Sequence, residues 1–224
     1  PVDLICKTID SIAAQTRAKG IIMVIGLEER TPDYESKIEY FENRYKNSFH
    51  KLIPTVHPYN IPGEVAGTCS NVNWAIRQST TQLRDEGTPL DPEMTLVTKM
   101  DTDAMFLPNH FEILEREFLK LSKAQRLEYT FQSPLMYNLS LDERWFFTRV
   151  TGILRTYFML GFLIPHSINT MSIYHLSLSL ARNAGYWIPN YQMEDIIQNL
   201  NFMCGIGKQV RIHLLPLPVV SGPT

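Results

Sequence analysis

Two hydrophobic periodicities alternate along the first half of the chain. Ile5, Ile9 and Ile12 recur at helical spacing beside Leu4, which predicts a helix over residues 3–18 with Gly20 as its stop. Ile21-Ile22-Met23-Val24-Ile25 is an unbroken apolar run rich in β-branched residues and predicts a strand buried on both faces. Tyr34, Ile38, Phe41 and Tyr45 then form one stripe of a second helix over 33–47, with Pro32 near its start, where proline is tolerated. His50 to Gly67 holds three prolines and two glycines and reads as loop. Ser70 is placed to cap a helix reaching Arg84, with Val72, Ile76 and Leu83 turned inward. A polar loop leads to a second strand over 95–100. Pro108-Asn109 opens another helix, marked by Phe111, Leu114, Phe118 and Leu121. Strand and helix in alternation predict an α/β layer sandwich with a mostly parallel sheet, and no linker or repeat divides residues 1–224, so one domain is expected.

Composition narrows this only at the edges. With 44% hydrophobic and 20% charged residues the chain is globular rather than disordered. Its formal net charge of −2 lacks the basic excess of a nucleic-acid binder. Cys6, Cys69 and Cys204 are too few and too widely spaced for a disulfide framework or a zinc motif, which favours a reducing compartment. No targeting signal precedes Pro1, and both ends read as cuts in a longer protein.

Residues 156–181 carry no Asp, Glu, Lys or Arg, but Pro165, His166 and Asn169 interrupt them, and the solid apolar part is far shorter than the ~20 residues a bilayer needs. Within 145–164, Trp145, Phe146, Phe147, Tyr157, Phe158 and Phe162 surround Arg149 and Arg155. Two readings stand side by side: an interfacial helix with an exposed apolar face, or core burial of Phe147, Leu154, Phe158 and Phe162.

Chemistry concentrates where the second strand ends. Asp101-Thr102-Asp103 puts two carboxylates at positions i and i+2, which point the same way in extended backbone. In open α/β sheets the ligand crevice lies beyond the carboxyl ends of the strands. Two such carboxylates suit a hard cation, Mg²⁺ or Mn²⁺, that also binds phosphate oxygens. A second acidic pair, Glu194-Asp195, opens a helix marked by Ile196, Ile197 and Leu200, and reads either as N-terminal helix chemistry or as a general base. Gly63 and Gly67 precede the helix that begins near Ser70, giving free N–H groups for an anion or a plain cap. His57 and His213 read as structural, and Asn138-Leu139-Ser140 is a glycosylation sequon that a cytosol-facing domain would not use.

In this order the pieces resemble family-2 glycosyltransferases, over most of the chain. Val24 to Asp33 resembles that family's second strand and acidic nucleotide-binding turn. Gly67-Thr68-Cys69-Ser70-Asn71-Val72-Asn73-Trp74-Ala75 resembles its G-K-x-x-N-x-N-x-A helix start. Asp101-Thr102-Asp103 resembles its D-x-D motif, and Glu194-Asp195 its E-D motif. The resemblance implies a GT-A three-layer sandwich, truncated at both ends, and metal-dependent inverting transfer of a sugar from a nucleotide-diphosphate sugar to a glycan or lipid-linked acceptor hydroxyl. It implies Asp195 as catalytic base and Asp103, assisted by Asp101, as metal ligand. Glu28, Glu29, Asn71, Asp101 and Glu194 are the implied nucleotide-sugar contacts, with Asn71 the weakest and Asn73 structural. It further implies membrane association with the catalytic domain facing the cytosol, any spans lying outside this chain. The chain departs from the pattern in three places: the family's first strand is missing before Pro1, Thr68 replaces the usual lysine, and no Q-x-x-R-W follows. A nucleotidyltransferase of related fold and a non-catalytic binding domain are the competing readings.

Overall fold

The structure, a computed structural model, describes residues 2–137, 145–192 and 194–222, with Glu194 described in its backbone alone. The sequon at Asn138 and the side chain of Glu194 therefore lie outside the described residues. The elements are α1 (Val2–Ala13), β1 (Ile22–Glu28), α2 (Tyr34–Tyr45), β2 (Lys51–His57), α3 (Thr68–Asp85), β3 (Leu96–Lys99), β4 (Met105–Phe106), α4 (His110–Lys120) and α5 (Lys123–Arg126). They continue with β5 (Tyr129–Gln132), β6 (Leu135–Met136), α6 (Phe146–Phe158), β7 (Tyr174–Ser177), α7 (Leu178–Asn183), α8 (Glu194–Ile206), β8 (Arg211–Leu214) and β9 (Val219–Val220). The first helix stops at Ala13, short of the expected reach, and a turn of 3-10 helix over Ala18–Gly20 leads into β1.

β1 runs parallel to β2, from Ile22 opposite Lys51 to Glu28 opposite His57. β2 falls in the stretch expected to be loop. Pro54 concealed it: proline cannot donate to a ladder and is confined to sheet edges, and β1 is the strand's one partner among the described residues. A four-stranded sheet has the order β3-β7-β5-β8 and a three-stranded one the order β4-β9-β6. β3–β7, β5–β7 and β4–β9 are antiparallel, while β5–β8 and β6–β9 are parallel. The fold is thus mixed α/β with mixed sheets, in place of the mostly parallel sheet expected. The strand–helix alternation that implied parallel pairing lapses after β3, and β7 inserts antiparallel between β3 and β5.

Amphipathic faces close the core as their spacing requires. Ile9 and Ile12 of α1 meet Phe41 and Tyr45 of α2 and the β1 residues Met23, Ile25 and Leu27. A second cluster joins Tyr174 and Leu176 of β7 to Trp187 and Phe202, with Val72 and Ile76 of α3 against it. Trp187 Nε1 donates to Tyr174 Oη at 2.8 Å, so the buried indole keeps its hydrogen bond. This cluster seats α8, and with it the backbone of the second acidic pair.

α6 exposes its aromatic face. Gly152 lets it approach closely, since a Cβ there would lie 3.2 Å from Tyr137 Cβ. Thr156 Oγ1 donates to Leu135 O at 2.8 Å, and the helix ends in a π-helical turn, Met159–Leu163, that buries Met159 and Leu163. The core-burial reading fails: Phe147 is 77% exposed, Leu154 61%, Phe158 55% and Phe162 46%, with Trp145, Phe146 and Tyr157 exposed beside them. Among the described residues no helix is long and apolar enough to cross a membrane.

Candidate functional site

β3 ends at Lys99, and the chain leaves it through Met100 into Asp101-Thr102-Asp103. Thr8 Oγ1 of α1 donates to Thr102 O at 2.7 Å and holds this turn from below. Both aspartates are half-buried. Burial, and then the charge of Asp101, push the Asp103 carboxyl above its usual range, while hydrogen bonds from the Gly222 N–H and the Ser221 hydroxyl oppose the rise. The charge of Asp101 therefore reaches Asp103, although the chain turns here instead of running extended as the i, i+2 expectation assumed.

Beneath them lies a cation. Lys99 is buried, and its Nζ donates to Asp101 Oδ1 at 3.1 Å and to Ser172 O at 2.8 Å. A buried ammonium is tolerable only when paired and hydrogen-bonded. Lys99 went unread in the sequence although a lysine inside an apolar strand was the available signal.

Asp195 is the second residue of α8, half-buried, with Oδ1 shielded from solvent. Tyr137, just past β6, is the link between the two acidic motifs. Its hydroxyl is raised above its ordinary range chiefly by burial; Arg155 opposes the shift, and the charges of Asp195 and Asp101 add to it. Arg155 reaches it from α6, with Cζ 4.5 Å from the ring centroid. Asp101 and Asp195 thus both act on Tyr137 although 94 positions separate them, and Asp101 acts also on Asp103. Tyr137, Arg155, Ser221 and Gly222 are members of this cluster that no motif announced.

Glu28 and Glu29 line a cleft of about 90 Å³ at the C-terminal ends of β1 and β2, with Arg30, His57, Tyr59 and Glu64 among its walls. Glu28 is ion-paired with Arg30, and Glu29 Oε2 accepts from Tyr59 N at 2.8 Å. His57, read as structural, bonds Glu64 Oε2 through Nε2 at 2.8 Å and sets its ring edge-on to Trp74. Asp101, Asp103 and Asp195 do not line this cleft. The connection is through backbone: Val65 N donates to Pro189 O at 2.9 Å, tying the cleft loop to the segment that leads into α8.

Asn71 stands between helix and strand. Its Nδ2 donates to Gly26 O at 3.1 Å, and a Cβ at residue 26 would come within 2.9 Å of Asn71 Oδ1, so the pair fastens α3 to β1. Asn71 Oδ1 is buried and makes no hydrogen bond. Asn73 accepts from Arg77 Nε at 3.0 Å, as a structural residue does.

Among the described residues no group of three or more His, Cys, Asp or Glu side chains is placed to hold a metal ion. Two carboxylates suffice where a diphosphate and water complete an octahedral shell, the usual arrangement for Mg²⁺ beside phosphates. Asp101 and Asp103 fit that requirement as hard oxygen donors close enough for the charge of Asp101 to act on Asp103. The chain matches no protein-family model and no curated protein.

Proposed function

We propose that this chain is the catalytic domain of a metal-dependent, inverting glycosyltransferase of GT-A architecture, taking a nucleotide-diphosphate sugar as donor. The observation that supports the reading is that the charges of Asp101 and Asp195 both bear on Tyr137, and the charge of Asp101 bears also on Asp103. The acidic cleft that holds Glu28 and Glu29 supplies a separate place for the nucleoside.

Asp103 and Asp101 would hold Mg²⁺ or Mn²⁺, whose charge would offset the negative charge that gathers on the leaving diphosphate. Asp195 accepts the proton of the acceptor hydroxyl, whose oxygen bonds to the sugar C1 as the C1–diphosphate bond breaks. Attack opposite the leaving group inverts C1, and the sugar passes through an oxocarbenium-like state of the kind met in glycoside hydrolysis. The Lys99 ammonium holds Asp101 in place from the strand side.

Calorimetry tests the metal and nucleotide parts together. The chain should bind UDP in the presence of Mn²⁺ and lose at least about tenfold in affinity, some 1.4 kcal/mol, when the cation is chelated or Asp103 is changed to Asn. UDP binding that is indifferent to both changes removes this function.

The exposed face of α6 supports docking at a membrane surface, where a lipid-linked acceptor would be presented from the cytosolic side. Residues 145–193 contain no Asp or Glu while carrying Arg149, Arg155 and Arg182, a charge balance suited to anionic headgroups. The double variant Phe147→Ser, Tyr157→Ser should bind vesicles of mixed neutral and anionic phospholipid about thirtyfold more weakly, since each ring half-buried in lipid contributes about 1 kcal/mol. Co-sedimentation equal to that of the unaltered chain would discard the contact.

A further inference from the structure

We propose that Ser221 and Gly222 are positioning residues for Asp103, fixing its carboxylate from the C-terminal side and leaving its remaining acceptor capacity for a divalent cation. The inference rests on the metal-dependent reading above. It starts from β9, which is held on both edges: Val220 lies opposite Met105 of β4 and Val219 opposite Leu135 of β6. Ser221 N extends the second ladder by donating to Met136 O at 3.0 Å, and Val219 and Ser221 are buried. Residues 219–222 therefore have little freedom. Since β4 begins two residues after Asp103, the strand pairing that closes this sheet also sets the two segments in register.

The end of that segment meets the carboxylate directly. Gly222 N donates to Asp103 Oδ2 at 3.1 Å and Ser221 Oγ donates to Oδ1 at 3.4 Å. An ionised carboxylate offers about four acceptor positions, and with a third contact from the Asp103 N–H about one stays open for a cation. Space, and not backbone conformation, demands the glycine. Residue 222 is not among the glycines with positive φ, yet a Cβ there would lie 2.4 Å from Asp103 Oδ2. Any side chain at 222 must displace the carboxylate or the strand end. Groups that orient a metal ligand from outside the coordination shell typically govern affinity by about 10–100-fold.

Mn²⁺ affinity, read from the paramagnetic resonance of free Mn²⁺ in the presence of UDP, tests this on the full chain, with thermal unfolding measured alongside. Gly222→Ala is expected to weaken Mn²⁺ binding about tenfold or more. Its melting temperature should stay close to that of the unaltered chain, and its metal-free UDP affinity should not move. Ser221→Ala, which removes the longer contact, should weaken Mn²⁺ about threefold. Asp103→Asn is the reference and should abolish the site. If Asp103→Asn binds Mn²⁺ like the unaltered chain, the metal reading fails and takes this inference with it. If Asp103→Asn loses the metal while Gly222→Ala and Ser221→Ala keep full affinity, the metal reading stands and the positioning role is overturned. Should Gly222→Ala not fold, Ser221→Ala decides the matter: a threefold loss upholds the role and unchanged affinity ends it.

Discussion

Asp195→Asn is expected to lower the rate of sugar transfer by about 10²–10⁴-fold while leaving Mn²⁺-dependent UDP affinity within about twofold of the unaltered chain. The asymmetry follows from what the residue does. On the proposed reading Asp195 is a base acting on the acceptor hydroxyl, so its loss would fall on turnover, whereas the nucleotide would be held by the carboxylates at the end of β3 and by the cleft at the end of β1. Asn keeps the shape of the side chain and removes only its capacity to take a proton. The measurement pairs single-turnover transfer in the full-length enzyme with calorimetric UDP binding. Parallel loss of both would move Asp195 from the chemistry to binding or folding.

The second large effect is on stability. His110 Nε2 lies 3.3 Å from His175 Nε2, and His175 Nδ1 lies 2.8 Å from Oγ1 of the half-buried Thr98; both histidines are in the protein interior. One Nε2 must donate and the other accept, so the pair accommodates neutral rings; a second proton would set two N–H groups against each other. Burial pushes His110 down to about 4, and burial together with the neighbouring His110 lowers His175. Both folded values lie below the unfolded value near 6.5. The folded state therefore binds fewer protons, and the stabilisation is fully present above about pH 6.5 and is lost as pH falls toward 4. For His110 alone the shift amounts to about 3 kcal/mol. Thermal unfolding at pH 7, 6, 5 and 4.5 should show a falling midpoint, and His110→Phe, which suits the aromatic surroundings of Phe106 and Phe111, should flatten that dependence. A midpoint that does not move between pH 7 and 5 would exclude a buried neutral pair.

What the sequence disclosed was local. The run Ile21 to Ile25 marked β1, although the strand alternates between a buried and a half-buried face instead of being buried on both, and Asp101 and Asp103 fell just past β3 because the apolar run of the strand ends there. The elements that escaped notice had their signal cancelled or diluted. Pro54 masked β2. The short β5 and β7 are almost wholly buried, so no polar–apolar alternation marks them. The cluster was legible only as two acidic motifs. Tyr137, Arg155 and Gly222 join them through tertiary packing, which leaves no spacing to read. α6 shows the limit from the other side: its aromatic content was plain, but burial and exposure write the same letters, and only its seating on Gly152 and Thr156 decided which way the rings face.

The proline of β2 bears also on how the protein behaves among its own copies. A parallel pair such as β1 and β2 leaves a row of outward N–H and C=O groups, and an unmodified row of that kind is a template on which another chain can add a strand and begin aggregation. Pro54 breaks the row near its middle, and Lys51 places a charge at its start. The residue that hid the strand from sequence reading thus acts as its guard, allowing β2 to pair inward with β1 while making it a poor edge for unwanted growth.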